Sequence, residues 1–454
     1  MDRPTLTRIG SVASSVSETH PRGRDRMVFL NTSDILFGKV INANYSDVEG
    51  WPGQAKKSIR RNDILFSEIR PANGRWAFVD FDADDYVVST KLMVIRANQD
   101  RITSRFLYHF LTSKAVTSWL QHLAESRSGT FPQITFDQVA ELEIELPTLR
   151  VQKAIASLLD AIEARIHLNR LASQIIATTV QALFKEWFLD FGPTRLKTKS
   201  QTPNMVSATV GEFFPEMLVD SPIGPVPKGW SVERFDVHMI AERGLSYKGE
   251  GLRNDGSGLP MHNLNSVYEG GGYKREGIKY YAGEYKDKHL VRPGDMIVTN
   301  TEQGFDHLLI GHAAIVPAHY GERGLFSHHL YRVRPKPVSP LTSHYLVQLF
   351  NSDRWHYWIS GFSNGTTINM LPSDALQMPL LVVPPADLVA IFTRLAHSAH
   401  EQSETSLTES ETLVRTRELL FPRLISGEVR VEDAMVLASL CCEQPHRHRE
   451  ALPR

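Results

Sequence analysis

The chain has 454 residues, and its 50 Lys and Arg nearly cancel its 51 Asp and Glu, for a formal net charge of −1. A length of this order suggests about two to four units, and the neutral balance excludes any nucleic-acid reading that rests on bulk basicity, leaving only local basic surface. The 2 cysteines are adjacent, Cys441 and Cys442, which excludes a disulfide framework and fits a reducing, cytoplasmic setting. The start, "MDRPTLTRIGSVASSVSETH", carries no apolar block of signal-peptide length, and no segment reaches the ~20 apolar residues of a bilayer span, so no membrane is expected.

In chain order, residues 1–147 form a first block of short β-like runs, among them "NDILFSEIRP", "WAFVDF" and "YVVSTKLMVIRA". A short helical stretch, "SRFLYHFLTSKAVTSWLQHL", precedes "SGTFPQITFDQVAELEIELP". Residues 148–191 then predict one long helix. Ile155, Leu159, Ile162, Ile166, Asn169, Ser173, Ile176, Val180, Leu183 and Trp187 alternate spacings of four and three with no Gly or Pro, a heptad seam. Such a helix is about 60 Å long and needs another long helix beside it.

Residues 192–220 read as a linker, because "GPTRLKTKSQTPNM" is rich in Pro, Lys, Ser and Thr. Residues 221–384 form a second block, opening on "SPIGPVPKGWSVERF" and carrying the runs "DMIVTN", "AAIVPA" and "HLYRVRP" and the helical "LTSHYLVQLFNSDRWHYWI". Residues 385–427 predict a second long helix, from Leu388, Ile391 and Leu395 through a polar middle to Leu413, Leu420 and Leu424. The tail, 428–454, has no periodic signal and reads as loose.

The two blocks are copies. "NGTTINMLPSDALQMPLLVVP" repeats the Gly-Thr, Asp, apolar run and Pro of the first block, with Asp137 and Asp374 standing 237 apart, as do Pro147 and Pro384. Phe106 and Tyr345 stand 239 apart, Asn62 and Gly294 232 apart, in the same order along the chain. A duplication of about 230 residues accounts for all of them.

Recognisable catalytic motifs are missing: no G-x-x-x-x-G-K-[ST], no G-x-G-x-x-G after a strand, no H-E-x-x-H and no paired-Cys zinc spacing. "YEGGGYKREG" lacks a nucleotide-site context and predicts a hairpin tip. Adjacent His328 and His329 would point to opposite faces of a strand and could not share a metal, and Asp295 after Pro293-Gly294 is strand-entry chemistry. What remains suits a polar polymer: loops that interleave Arg or Lys with aromatic and amide side chains, able to contact phosphates and base edges. The candidates are Lys56, Lys57, Arg60 and Arg61 in "GQAKKSIRRND", Arg70 and Arg75 in "RPANGRW", and Arg127, Ser128, Thr130 and Gln133 around the first Gly-Thr. In the second block they are Lys248, Arg253 and Asn254 in "GLSYKGEGLRND", Lys274 and Arg275 in "GGYKREGIKYY", and Asn300 closing "DMIVTN". Asn364, Thr366, Thr367 and Asn369 surround the second Gly-Thr. Ordinary solvated loops share this composition.

Taken together, residues 1–427 resemble a specificity subunit of a type I restriction-modification system. The resemblance rests on Pro227-x-Gly229-Trp230, the strand entries Asn62-Asp63-Ile64-Leu65 and Gly294-Asp295-Met296-Ile297, the Gly-Thr segments at Gly129 and Gly365, and above all the two long helical regions. The first block departs from it by lacking a P-x-G-W opening. The resemblance implies an α+β chain: two mixed α/β target-recognition domains separated by two long antiparallel helices that form a coiled-coil spacer. It further implies a non-catalytic subunit that reads a bipartite, asymmetric target in double-stranded DNA. Such a subunit directs two methyltransferase subunits and, in the larger complex, restriction/translocase subunits. S-adenosylmethionine, ATP and Mg²⁺ would belong to those partners, with no cofactor and no metal in this chain. The alternatives are a nuclease or methyltransferase with an unrecognised site in one block, and a scaffold whose blocks bind protein.

Overall fold

The computed structural model describes residues 5–21, 23–127, 132–201, 207–303, 308–362 and 368–434. The chain divides into two compact units, one made of the residues up to Asn169 together with those from Glu409 onward, the other of Arg170–Thr408. The division cuts both long helices, Leu149–Phe184 and Ala386–Ile425, so each unit owns a stretch of each.

Within the first unit, four antiparallel strands lie in the order Ala13–Val16, Leu92–Ala97, Ile64–Ser67, Trp76–Phe78. The second unit repeats that order with Met239–Arg243, Leu330–Pro335, Met296–Thr299 and Ala313–Ile315. A second sheet follows in each, centred on one parallel pair: Arg26–Leu30 with Tyr86–Ser89, and Leu259–His262 with Gly324–Phe326. The runs Ile64–Ser67 and Met296–Thr299 are buried at every position, since core covers both faces, and that is why they read as continuous apolar stretches rather than alternating ones.

Each block is closed by its ends. Thr5–Arg8 pairs with Glu143–Leu146, and Ser231–Arg234 pairs with Leu380–Val383. Pro147 and Pro384 follow those closing strands; without an N–H they cannot extend the ladder, and a long helix begins two residues on in each case.

One turn recurs almost atom for atom. Asp63 accepts the Arg60 backbone N–H at 2.8 Å and is gripped by Arg96 through Nε and Nη2, both at 2.8 Å. Asp295 accepts the Arg292 N–H at 2.8 Å and is gripped by Arg334, with Nε to Oδ1 at 2.7 Å and Nη2 to Oδ2 at 2.5 Å. Asn62 and Gly294, just before each Asp, both have positive φ, 73° and 87°. The expected strand-entry role of Asp295 is therefore its observed one.

The heptad seam is buried at Ile155, Leu159, Ile162, Ile166, Asn169, Ser173 and Trp187. In the first unit the two helices run antiparallel: Glu163 meets Arg417 at 3.1 Å, and two residues later Arg165 meets the earlier Glu409 at 2.9 Å. In the second unit Phe184, Trp187 and Phe188 gather around Phe392. Leu395 departs from expectation. It is 49% exposed, because the inner row of the second helix is Leu388, Phe392 and Ala396, one position away from the expected Leu388, Ile391 and Leu395.

Two segments expected to be loose are folded. Gly192–Thr198 is a short helix with buried Pro193 and Thr194, and the Lys197 ammonium donates to the carbonyls of Gly211 at 2.8 Å and Phe214 at 2.7 Å. The polar composition that suggests a linker here serves backbone carbonyls, while Phe191, Phe214 and Trp230 form an aromatic cluster beside it. At the other end, the tail stays packed through Ala434, which is fully buried in the first unit's core with Val429 and Val431 against it. Residues from 435 on, with Cys441 and Cys442, lie outside the described residues.

Candidate nucleic-acid interface

The residues that follow each Gly-Thr in sequence arrive at the same place in their unit. In the first, the strand Ile64–Ser67 runs out into Glu68, Ile69 and Arg70, then a tight turn Pro71–Asn73. The segment after the Gly-Thr lies antiparallel to that exit: Ile69 bridges Gln133, the Arg70 amide donates to Pro132 O at 3.1 Å, and the Ile134 amide donates to Glu68 O at 2.9 Å. In the second unit Thr301–Gln303 pairs with Ile368–Met370, and the Leu371 amide donates to Asn300 O at 2.8 Å. Helices Lys114–Arg127 and Asp353–Ser360 lead into the two Gly-Thr segments. The register aligns Ile69 with Thr301, which sets Arg70 against Glu302. The frames match, but Arg70 is exposed while Glu302 is buried.

Of the residues expected to contact a polymer, Ser128, Thr130, Asn364, Thr366 and Thr367 lie outside the described residues, and Arg127 is the last residue of its helix. The structure brings Arg70 and Gln133 together in the first unit, and Asn300 and Asn369 in the second, flanking the same strand pair. Lys56, Arg61 and Arg70 are exposed, and Arg60 pairs with Glu18 at 2.8 Å on the surface. Lys248, Arg253 and Asn254 are exposed, Arg253 in the two-residue strand Leu252–Arg253, and the Lys274 ammonium sits 5.7 Å over the Tyr268 ring.

Four of the candidates, Asn300 among them, are tied into the fold. Lys57 is buried and donates to Leu92 O at 2.8 Å and Thr90 O at 3.2 Å, its pKa pushed down by burial. Arg75 donates to the carbonyls of Ser33 at 3.0 Å and Ile35 at 3.2 Å. Arg275 is ion-paired with Glu404 at 2.7 Å, and the fully buried Asn300 donates to His328 O at 3.0 Å. Sequence adjacency to aromatics and glycines cannot separate these four from the exposed ones, since each is held by a carbonyl or carboxylate distant in the chain.

His328 and His329 correct their expected placement. They occupy a turn between two strands, not a strand, with ring centroids 4.0 Å apart, and His329 Nδ1 lies 2.8 Å from Thr301 Oγ1. The pair braces the exit of the second unit's central strand. The glycine-rich "YEGGGY" is a hairpin tip as expected, closed by a Val267–Tyr273 bridge, with Gly270, Gly271 and Gly272 all at positive φ. Glu302 organises the loop beyond that exit by accepting the amides of Leu308 at 2.8 Å and Ile310 at 3.1 Å.

Sequence reading also passed over Phe37, which is 62% exposed at the tip of a two-residue hairpin closed by Leu36 and Lys39. The signal was present as "ILFGKV", a Gly within a short β-branched and apolar run, without the Asn-Gly or Asp-Gly that usually flags such a turn.

Among the described residues, one cluster brings metal-type ligands together, His109, Asp160 and Glu163. Arg105 lies 3.6 Å from Asp160 and Arg417 3.1 Å from Glu163, so cations already balance both carboxylates and the cluster fastens the helix Ser104–Leu111 to the long helices. Among the described residues no helix is long and apolar enough to cross a membrane.

Residues 29–176 match the family of type I restriction modification DNA specificity domains. The whole chain is similar to the specificity subunit of the type I restriction enzyme HindI of Haemophilus influenzae, 29% identical over 93% of this chain and 98% of that one. It is also similar to the MjaIX specificity subunit of Methanocaldococcus jannaschii, 22% identical over 74% of this chain and 71% of that one. In fold it resembles the crystal structure of the type I restriction-modification S subunit from M. genitalium, with a TM-score of 0.51 at 12% identity over 92% of this chain and 95% of that one. With a duplicated α+β block and two long helices, the chain is similar along nearly its whole length to type I restriction-modification specificity subunits.

Proposed function

We propose that this chain is the DNA-reading subunit of a type I restriction-modification complex, each unit reading one half of a bipartite, asymmetric target. The observation that carries this is the repeated frame with unlike residues at equivalent positions: the same strand order and the same Asp–Arg turn, but an exposed Arg70 where the second unit has the buried, loop-bracing Glu302. Equal scaffolds that carry different residues at equivalent positions are what two different half-sites require. Lys56, Arg61, Arg70, Lys248 and Arg253 supply local cations for phosphates on a chain whose net charge is −1.

The partners are two adenine methyltransferase subunits and, in the larger complex, restriction/translocase subunits, in the cytoplasm; S-adenosylmethionine, ATP and Mg²⁺ are theirs to bind. Leu171, Ile175 and Leu395 in the second unit are 42%, 55% and 49% exposed, and the last two line a groove of about 540 Å³ with Ile176, Val180 and Ile391. An apolar helix face left open in this way is where a partner helix gains most.

The test exchanges residues 221–384 for those of a relative with another target and sequences the methylated sites. One half of the target should change while the other half and the spacing persist. A change in both halves together would remove the two-reader proposal.

A further inference from the structure

The hairpin at Phe37 sets a bulky side chain where a tight turn favours a small or amide one. Leu36 pairs with Lys39, leaving Phe37 and Gly38 as a two-residue loop, and both have positive φ, 42° and 89°. That backbone is the one favoured by Asn, Asp or Gly at its first position, because a larger side chain meets its own backbone there. Burial does not explain the phenylalanine. Its ring is 62% exposed, touches Trp76 edge-on at 5.7 Å, and lies over Gly74, where an added Cβ would come within 2.3 Å of it.

The same rim carries a second such residue. The Phe37 amide donates to Gly74 O at 2.7 Å, which ends the turn that starts at Arg70, and Arg70 is exposed with φ 44°. Its own amide reaches Pro132 O at 3.1 Å, beside the first Gly-Thr segment. Two non-glycine residues in left-handed backbone, one beginning the Arg70–Gly74 turn and one packed on its end, thus lie at the edge already identified as the candidate interface, and stored backbone strain concentrates at functional sites.

The sister unit shows that the frame does not need this strain. There the Gly272 amide donates to Ala313 O at 2.9 Å as the Gly38 amide donates to Trp76 O at 2.9 Å, but the tip is built from glycines. Phe37 is therefore a residue that its turn disfavours, its core does not bury, and the equivalent hairpin does without.

We infer that Phe37 is a specificity-determining residue of the first half-site, its ring contacting an apolar base-edge group, for which the thymine methyl in the major groove is the matching chemistry. The inference rests on the DNA-reading proposal. It is tested with the full-length chain in complex with methyltransferase subunits, comparing wild type, Phe37→Asn and Phe37→Tyr in selection from a randomised duplex library and in thermal melting. Phe37→Asn suits the turn, so Tm should hold or rise, while discrimination between selected and random DNA falls by on the order of tenfold. Phe37→Tyr should retain most of it. Only the first half of the selected sequence should degenerate.

A Phe37→Asn protein that selects the same two half-sites with an unchanged affinity ratio would overturn the inference and leave the DNA-reading proposal standing. So would a fall in Tm with both halves weakened equally, which is the signature of a packing role. Wild type that selects no sequence would remove the proposal and the inference together.

Discussion

Removing Arg96 should cost the first unit more than any matching change costs the second. Asp63 has a side chain only 2% exposed and depends on three donors, two from Arg96 and one from the Arg60 amide. Arg96→Met leaves that carboxylate buried with a single N–H. Breaking a fully buried pair costs about 3–5 kcal/mol, and since Arg96 is 26% exposed the expected loss is about 2–3 kcal/mol. Asp63→Asn keeps an acceptor for the Arg60 amide and leaves Arg96 its Glu18 partner at 3.1 Å, so about 1–2 kcal/mol is expected. In the second unit Asp295 is 12% and Arg334 40% exposed, and solvent screens the pair, so Arg334→Met should cost about 1 kcal/mol. Two units forbid a single two-state fit, and the assay is hydrogen exchange against urea, followed on peptides containing Leu92–Ala97 and Leu330–Pro335. If Arg334→Met cost as much as Arg96→Met, or if Arg96→Met cost under about 0.5 kcal/mol, burial would not be what sets the strength of these turns.

Gly74→Ala places a methyl within 2.3 Å of the Phe37 ring at a φ of 71°, so the first unit should lose about 1–3 kcal/mol, read by the same exchange experiment, and no loss would mean the hairpin swings aside freely. The second unit should weaken on acidification. Burial pushes the His262 pKa down to about 3, and burial together with the neighbouring His356 pushes His312 down to about 4. Both are neutral when folded and bind protons near 6.5 when unfolded, so their contribution is full above pH ~6.5 and is lost as pH falls from there towards 4 and then 3. Between pH 7 and 5 the urea midpoint of the second unit should drop by the equivalent of roughly 1–2 kcal/mol per histidine, and a midpoint that rose instead would reverse the assignment. Finally, Lys56→Ala and Arg61→Ala should each weaken binding to all duplexes alike and reduce the slope of log affinity against log salt by about one; a change in the selected sequence instead would make them base readers.

How much of this was legible in the chain follows from the range of the interactions concerned. The duplication, the strand runs, the short helices and the heptad seam from Ile155 to Trp187 could be read from residues alone, because strand and helix periods are local and each copy repeats its own spacing. So could the strand-entry role of Asp295, since the Arg-x-x-Asp turn closes within four residues. Tertiary structure decided whatever depends on a partner far along the chain. Lys57 is captured by carbonyls of Thr90 and Leu92, Arg275 by Glu404, and Asn300 by His328, and nothing in "KKSIRR" or "GYKREG" distinguishes a captured cation from a free one. The segment Gly192–Thr198 has a linker's composition, and it is folded because Lys197 finds the carbonyls of Gly211 and Phe214. Leu395 satisfies a helical period and still faces outward, since a period names a stripe but only the opposing Phe184, Trp187 and Phe188 choose which stripe is covered. Phe37 is the extreme case: its residue type argues for a core, its turn argues for asparagine or glycine, and only the packed neighbours show that it is neither buried nor relaxed.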